Sequence, residues 1–261
     1  MKTYKQHYQE CRDIYNGTMV FSIYDIALKI NCVEVDLNLL SGITKAIKEH
    51  LKTNHDTSES KWGKYVNDFN SIPMLNEFCL KIVEQLESKY FNSFVKIENL
   101  HILENKKQVP LESSWVWHYD DCPREFLKLA VYLNDVGVEN GPMKFVRGPK
   151  ASIPLIESYR NHPGAIKGHP PPVFPKSRVP KDFVDQVISK GGAESALIGP
   201  MGTNFLFSPN IIHKGTVPHP TADARLAMFM FVRPSKKKIK NLIAAAKPKK
   251  ANVNVKKYNL D

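Results

Sequence analysis

The sequence lacks the features of membrane, secreted and disordered proteins. Its 261 residues hold no apolar run near the roughly 20 residues that a membrane-spanning helix needs, and the first residues are polar, unlike a signal peptide. The four cysteines lie far apart without a CxxC pair, which excludes a dense disulfide framework and argues against structural zinc. With 13 Phe and 10 Tyr, the chain is too aromatic to be disordered. We therefore expect a soluble, globular, cytoplasmic protein.

The net charge of +11 is concentrated near the C-terminus. Ten lysines and arginines but one acid lie from Arg233 to Asp261, so the rest of the chain is close to neutral. A basic C-terminal tail, residues 235–261, is either a solvated extension or a segment that binds an acidic partner through salt-sensitive contacts. No specific nucleic-acid motif accompanies it. We expect truncation after Pro234 to leave the activity intact.

Hydrophobic periodicity divides the rest of the chain into two parts. Residues 1–93 form a mixed, mostly helical layer, with helices predicted at 36–51, where Asp36 is a candidate cap, and at about 73–89. Residues 94–234 form a β core, because short aromatic and branched segments alternate with turn signals. The strands are predicted at 94–103, 113–119, 126–133, 143–146, 203–207 and 224–232. Together these elements predict a mainly β sandwich or jelly roll with flanking helices.

A proline-rich interval interrupts the β core. Eight prolines lie between Gly148 and Gly199, too many for a central strand, and the one plausible helix is near 181–190. Long loops inside compact domains are uncommon and are often active-site lids. Residues 149–198 are thus predicted to be a lid insertion, the alternative being a disordered insertion.

Two histidines and a carboxylate suggest a metal site. His118 and Asp120 are two residues apart, so on a strand they face the same side. His213 follows 95 residues later between two apolar segments. Such a set forms the facial triad of non-haem Fe(II) oxygenases and leaves adjacent metal positions open. The alternative is a surface histidine and a turn aspartate, since an isolated HxD pair is weak evidence.

Three further residues are candidates for binding a cosubstrate. Arg225 opens an apolar segment, and its planar fork suits the far carboxylate of a dicarboxylate, although a surface position is also possible. Lys128 and Tyr132 share one face of their predicted strand, and the opposite face is aliphatic. We expect the Lys128 face to line the barrel interior, where the ammonium needs a cosubstrate carboxylate or an acidic substrate group as partner. A reversed strand would instead expose Lys128.

These motifs together resemble the phytanoyl-CoA dioxygenase family of Fe(II)- and 2-oxoglutarate-dependent oxygenases. The resemblance covers roughly residues 95–234 and rests on WHYD (117–120), FLKLAVYLNDV (126–136), ENGPMKFVRG (139–148) and the segment 202–225. It implies a double-stranded β-helix (jelly-roll, cupin-like) core, with iron on His118, Asp120 and His213, and Arg225 on 2-oxoglutarate. The chain departs from the family at 148–150, which read Gly-Pro-Lys where many relatives have Gly-Ser-His.

The resemblance also implies a reaction. Fe(II), 2-oxoglutarate and O2 would hydroxylate a C–H bond of a small, possibly anionic, substrate and release succinate and CO2, with no catalytic residues beyond the metal ligands. Asp120 favours hydroxylation over halogenation, because related halogenases have a small residue there. Arg147, Arg160 and His162 are candidate substrate contacts. The alternatives are a cupin-like binding module, with another metal or none, and a hydroxylase of RNA or protein.

Overall fold

The computed structural model describes residues 26–53, 57–60, 63–107, 113–120, 122, 125–153 and 177–248. Within these ranges, no helix combines the length and apolarity needed to cross a membrane. The helices are α1 (Leu37–Thr53), α2 (Leu75–Leu86), α3 (Lys181–Ser189) and α4 (Leu242–Ala245). The strands are β1 (Leu28–Ile30), β2 (Thr57–Glu59), β3 (Gly63–Val66), β4 (Phe94–Asn105), β5 (Leu127–Tyr132), β6 (Met143–Arg147), β7 (Ala193–Leu197), β8 (Asn204–Phe207), β9 (His213–Lys214), β10 (Leu226–Ser235) and β11 (Lys247–Pro248).

Helices α1 and α2 form the predicted helical layer. In α1 the predicted apolar residues Leu40, Ile43 and Ile47 are buried, whereas Leu37 at the helix start is exposed. The Asp36 carboxylate accepts a hydrogen bond from the Leu39 amide at 3.0 Å, as an N-cap does. Helix α2 begins at Leu75, two residues after the predicted start, and a π-helical turn over Glu87–Phe91 follows it. Strands β1, β2 and β3, which the sequence did not predict, lie in the same N-terminal part.

Two sheets of different size make up the β core. The larger sheet has the order β1-β8-β5-β10-β4-β3-β2, with β11 beside β4, and the smaller sheet has the order β7-β6-β9. Every strand pair in them is antiparallel except β11 with β4. One apolar cluster joins Tyr132 and Phe205 of the larger sheet to Met143 and Phe145 of the smaller one. The predicted architecture, mainly β with a jelly-roll core and flanking helices, is confirmed.

Side-chain alternation on the central strands separates an outer core from the barrel interior. Leu127, Leu129 and Val131 of β5 pack in the cluster that contains the buried faces of α1 and α2. Ala130 and Tyr132 point the other way, into the cluster between the two sheets. Since side chains alternate along a strand, Lys128 also faces the interior. The predicted orientation of β5 is confirmed, and the reversed strand is excluded.

The two ends of the proline-rich interval belong to the core. Gly148–Ser152 form a tight turn, α3 packs beside β6, and β7 pairs with β6 along its whole length. The lid prediction for 149–198 therefore extends too far at its C-terminal side, because β7 supplies the edge strand of the smaller sheet. Residues 154–176, in the middle of the predicted lid, lie outside the described residues.

The predicted basic tail does not begin as a solvated extension. Leu242, Ile243 and Ala246 are buried in the outer core, and the Asn76 side chain of α2 accepts a hydrogen bond from the Leu242 amide at 2.8 Å. Strand β11 then pairs with β4. The apolar LIAAA segment, residues 242–246, explains the difference, because it can bury surface that the neighbouring lysines cannot. Residues 249–261 lie outside the described residues.

Candidate metal centre

A pair of reciprocal backbone hydrogen bonds fixes the two histidines of the site. The His118 amide donates to the His213 carbonyl at 3.0 Å, and the His213 amide donates to the His118 carbonyl at 2.9 Å. His213 lies in β9 and pairs with Phe145 of β6, so the smaller sheet carries the bridge. The predicted strand 113–119 is reduced to a 3-10 turn at Ser113–Trp115 followed by this bridge.

The residues around His118 set the direction of its side chain. Trp117 and Tyr119 are buried in a small apolar cluster with Val179 and Ile212. The Val179 amide also donates a hydrogen bond to the Trp117 carbonyl at 2.9 Å, which holds the backbone directly before His118 in place. With Trp117 and Tyr119 packed on one side, His118 and Asp120 point to the other, as the alternation predicts.

The three predicted ligands converge. Ligand atoms of His118, Asp120 and His213 all lie within 4.8 Å of one another. The His118 Nε2 atom is 3.8 Å from Asp120 Oδ1, and the His213 Nε2 atom is 3.4 Å from Asp120 Oδ2. The imidazole ring centroids are 4.3 Å apart. Both histidines are buried, while the Asp120 side chain keeps 26% of its surface exposed, so the cluster is open on the carboxylate side.

Hydrogen bonds at the far ring nitrogens orient both imidazoles. His118 Nδ1 lies 2.9 Å from the Val116 carbonyl, and His213 Nδ1 lies 2.8 Å from the Ile211 carbonyl. A carbonyl only accepts, so each Nδ1 must carry the proton and each Nε2 presents its lone pair to the cluster. Burial lowers the pKa of His118 to about 3, helped by the neighbouring His213, so this imidazole is neutral near pH 7. Metal-binding histidines are oriented in the same way, by a hydrogen bond from the ring nitrogen that faces away from the metal.

Asp120 is held as an ionised carboxylate. Its backbone amide donates to the Pro209 carbonyl at 2.9 Å, and its Oδ2 atom forms an ion pair with the Lys128 ammonium. Loss of surrounding water acts to raise the pKa of Asp120, but the charge of Lys128 outweighs it, and the pKa lies well below its ordinary value. The sequence predicted that a cosubstrate carboxylate or an acidic substrate group would be the partner of Lys128. In the structure, the partner of its ammonium is Asp120.

Arg225 is a buried guanidinium with unused donors. The residue is 4% exposed, and its Nη2 atom donates to the Asn105 side-chain oxygen at 3.3 Å. Its Nε and Nη1 atoms and the Asn105 Nδ2 atom are buried without a hydrogen-bond partner, and none of the described carboxylates lies within 4.0 Å of it. A buried charge without a counter-ion is costly, so these donors fit an anionic ligand. The surface alternative for Arg225 is excluded.

Tyr132 lies on the same interior face, close enough to Arg225 for the guanidinium charge to act on the pKa of its hydroxyl. Burial raises the pKa of Tyr132, and its hydroxyl donates to the Leu197 carbonyl at 2.6 Å. Aromatic contacts run from Tyr132 through Phe205 and Phe207 to His213, with successive ring centroids 5.4, 5.8 and 5.5 Å apart. These rings form one continuous wall of the barrel interior, which runs from the Arg225 donors at one end to the histidines at the other.

The candidate substrate contacts are not brought to the cluster in the described residues. Arg147 is exposed at the end of β6, opposite Ala193 of β7. Arg160 and His162 lie outside the described residues. One residue near the site, Asn105, was missed from the sequence, where its signal was weak, as a polar residue ending the long apolar β4. Arg178, one of the basic residues of the predicted lid that would favour an anionic substrate, forms a β-bridge with His118.

Comparisons with known proteins agree with this geometry. No family model matches the sequence. The chain is 26% identical over 125 residues to L-proline trans-4-hydroxylase of Streptomyces griseoviridis, a match that covers 43% of this chain and only 46% of that protein. Among solved structures, EctD from S. alaskensis with 2-oxoglutarate and 5-hydroxyectoine is similar with a TM-score of 0.56 and 13% identity, covering 87% of this chain and 85% of EctD.

A further similar structure is the epimerase SnoN in complex with Fe3+, alpha ketoglutarate and nogalamycin RO. Its TM-score is 0.52 and its identity 16%, and the alignment covers 92% of this chain and 89% of SnoN. The chain has the fold of the Fe/2-oxoglutarate oxygenases. This likeness confirms the double-stranded β-helix core that the sequence predicted. The narrower resemblance to the phytanoyl-CoA dioxygenase family stays a prediction.

Proposed function

We propose that this protein is an Fe(II)- and 2-oxoglutarate-dependent dioxygenase that hydroxylates a C–H bond of a small organic molecule. The observation that supports it best is the pairing of two features in one barrel. A histidine–aspartate–histidine cluster lies at one end of the aromatic wall, and at the other lies a buried guanidinium that has no counter-ion among the described residues. A metal site alone would not need the second feature.

The donor set of the cluster fits ferrous iron. Two neutral imidazoles and one carboxylate on one side of a metal form the facial triad that leaves open positions for other ligands. His118 and His213 would bind through Nε2, because each Nδ1 is engaged by a backbone carbonyl. Asp120 would supply a carboxylate oxygen. The residues present therefore fit the metal that the fold implies.

The Arg225 donors fit the far carboxylate of 2-oxoglutarate. The guanidinium carbon is 5.9 Å from the Phe229 ring centroid, and the Lys128 ammonium next to Asp120 is 4.6 Å from the Phe231 ring centroid. Phe229 and Phe231 are two residues apart on one strand, a rise of roughly 7 Å. That separation suits a short dicarboxylate that reaches from the guanidinium to the metal.

The chain itself contributes orientation and exclusion of water. The histidines, Asp120 and their hydrogen bonds set the ligand geometry, and Arg225 with Tyr132 would orient the cosubstrate from its far end. The aromatic wall through Phe205 and Phe207 keeps water from that side. When bound, iron and 2-oxoglutarate together supply the activation of O2 that inserts oxygen into a C–H bond and yields succinate and CO2.

The substrate class is supported only at a coarse level. One similar protein is named for the small molecule L-proline, and the structures of EctD and SnoN contain 5-hydroxyectoine and nogalamycin RO. A small and possibly anionic substrate is therefore our proposal, with Arg147, Arg160 and His162 as candidate contacts. We also propose a cytoplasmic location. Among the described residues, Cys32, Cys79 and Cys122 form no disulfide, which suits a reducing compartment.

Turnover of 2-oxoglutarate in the absence of a substrate tests the proposal. We expect the full chain with Fe(II) and O2 to form succinate slowly, and His213→Ala to abolish this while the protein stays folded. His219→Ala is the matched control, since His219 is an exposed histidine six residues further along the chain. Normal succinate formation by His213→Ala would remove that residue from the site. Wild-type protein that neither binds nor turns over 2-oxoglutarate would contradict the oxygenase proposal and favour a binding module.

A further inference from the structure

Lys128 reaches the metal-ligand carboxylate from the opposite sheet. It is the second residue of β5 in the larger sheet, whereas the two histidines are carried by the smaller one. Its ammonium contacts Oδ2 of Asp120, and its side chain is only 10% exposed. None of the roles implied by the family resemblance requires a lysine on this carboxylate.

Aromatic rings confine the ammonium to this position. The Nζ atom lies 4.6 Å from the Phe231 ring centroid and 5.8 Å from that of Phe207. The negative faces of such rings attract a cation, and an ammonium buried without an anion is costly. Lys128 is therefore held against Asp120 by its surroundings as well as by the ion pair.

The contact makes the two oxygens of Asp120 unequal. Both oxygens face a ligand imidazole, Oδ2 at 3.4 Å from His213 Nε2 and Oδ1 at 3.8 Å from His118 Nε2, but only Oδ2 also contacts the Lys128 ammonium. The ammonium charge disfavours a metal ion at the oxygen that it contacts, so the other oxygen is the preferred metal ligand. A carboxylate that used both oxygens would fill one more metal position, which a dicarboxylate cosubstrate and O2 both need.

We propose that Lys128 is a positioning residue that keeps Asp120 a one-oxygen metal ligand and so preserves the open metal positions. The inference about open positions rests on the proposed function, whereas the effect on the metal does not. The effect of Lys128 on metal affinity has a distinctive direction. The ammonium repels a divalent ion while it orients the carboxylate, so Lys128 weakens metal binding. At a separation of about 5 Å, a unit charge changes the affinity for a divalent ion on the order of tenfold even with water-like screening.

Lys128→Met tests this, because methionine retains the length and apolar stem and removes the charge. We expect the full-length variant to bind Mn(II) about tenfold more tightly than the wild type. We expect the Mn(II)-loaded variant to bind 2-oxoglutarate about tenfold more weakly, because Asp120 now fills a position that the cosubstrate needs. Lys128→Arg should reverse both changes in part, since it restores a cation at the carboxylate.

The control is Lys181→Met, which removes an exposed lysine paired with Asp185 on α3 and should change neither affinity. Thermal unfolding shows whether each variant is folded. If Lys128→Met does not fold, Lys128→Gln replaces it, and we expect the same tighter Mn(II) binding and weaker 2-oxoglutarate binding. Unchanged or weaker Mn(II) binding by a folded variant would overturn the proposal. So would weaker 2-oxoglutarate binding at unchanged Mn(II) affinity, which would make Lys128 a direct cosubstrate contact. If no protein bound 2-oxoglutarate, the proposed function would fail, while tighter Mn(II) binding would still support the role of Lys128 on Asp120.

Discussion

At the scale of single residues, the donors of Arg225 decide whether the barrel holds a dicarboxylate. Removing one partner of a buried charge-assisted pair costs about 2–4 kcal/mol. We therefore expect Arg225→Ala to raise the dissociation constant for 2-oxoglutarate roughly 30- to 1000-fold, with metal binding retained. Arg225→Lys should recover part of the loss, because a point charge cannot reproduce the fork. Calorimetric titration of the Mn(II)-loaded proteins measures this, and an unchanged constant in Arg225→Ala would assign the cosubstrate to another cation.

The Tyr132 hydroxyl is a second single-residue test. Tyr132→Phe leaves the buried Leu197 carbonyl without its donor, which costs about 1–3 kcal/mol of unfolding free energy. It also removes a polar neighbour of Arg225, so we expect 2-oxoglutarate affinity to fall several-fold. Tyr90→Phe is the matched control, because the Tyr90 hydroxyl also donates to a carbonyl, that of Cys32, but on the partly exposed outer layer. Equal effects of the two variants on 2-oxoglutarate affinity would contradict a role for Tyr132 at the site.

The sequence was informative about the ligands and less so about their partners. His118, Asp120, His213 and Arg225 could be predicted because their chemistry depends on residue type and spacing. The contact between Lys128 and Asp120 could not be predicted, since it joins two strands whose relative height depends on how the sheets pack. The hydrogen bond from Arg225 to Asn105 could not be predicted for the same reason.

At the scale of elements, alternation within β5 was enough to predict which face enters the barrel, because the aliphatic face had to pack on the helical layer. Strands β2 and β3 carried too little apolar pattern to be recognised. Strand β7, with the sequence AESAL, buries only Leu197 and depends on pairing with β6. Tertiary pairing, which the local sequence does not encode, therefore accounts for the missed strands.

A charge cluster joins β4 to β10 and predicts a pH dependence of stability. Glu98 pairs with Lys96 at 2.7 Å and with the buried Arg233 at 3.0 Å. Loss of water acts to raise the pKa of Glu98, but these two cations lower it from 4.5 to about 2. A depressed carboxylate pKa contributes stability that is present above the unfolded-state value and is lost as the pH falls through the folded-state value.

Glu98→Gln should therefore destabilise the protein by at most about 3 kcal/mol at pH 7, and the difference from the wild type should shrink between pH 4.5 and pH 2. Urea unfolding at several pH values measures it. Glu194→Gln, which breaks an exposed pair with Lys144, should cost at most about 1 kcal/mol. A difference between Glu98→Gln and wild type that does not change with pH would show that packing, rather than charge, sets the cost.

At the scale of the whole molecule, the C-terminal segment divides into a packed part and a basic part. Truncation after Lys240 removes Leu242 and Ile243 from the outer core and should cost about 3–5 kcal/mol of unfolding free energy. Truncation after Pro248 removes only residues 249–261 and should leave both stability and succinate formation close to wild type. Thermal and urea unfolding compare the two. Equal stability of the two truncated proteins would contradict the packing of α4 on α2.

The reciprocal hydrogen bonds between His118 and His213 have a consequence for amide hydrogen exchange. Each histidine amide is protected by the carbonyl of the other, so one opening event exposes both amides to solvent. Two residues that are 95 positions apart in the chain should thus exchange with deuterium at the rate of a single opening. Any ion bound between the imidazoles would slow both amides by the same factor, and heating would release it in one cooperative step.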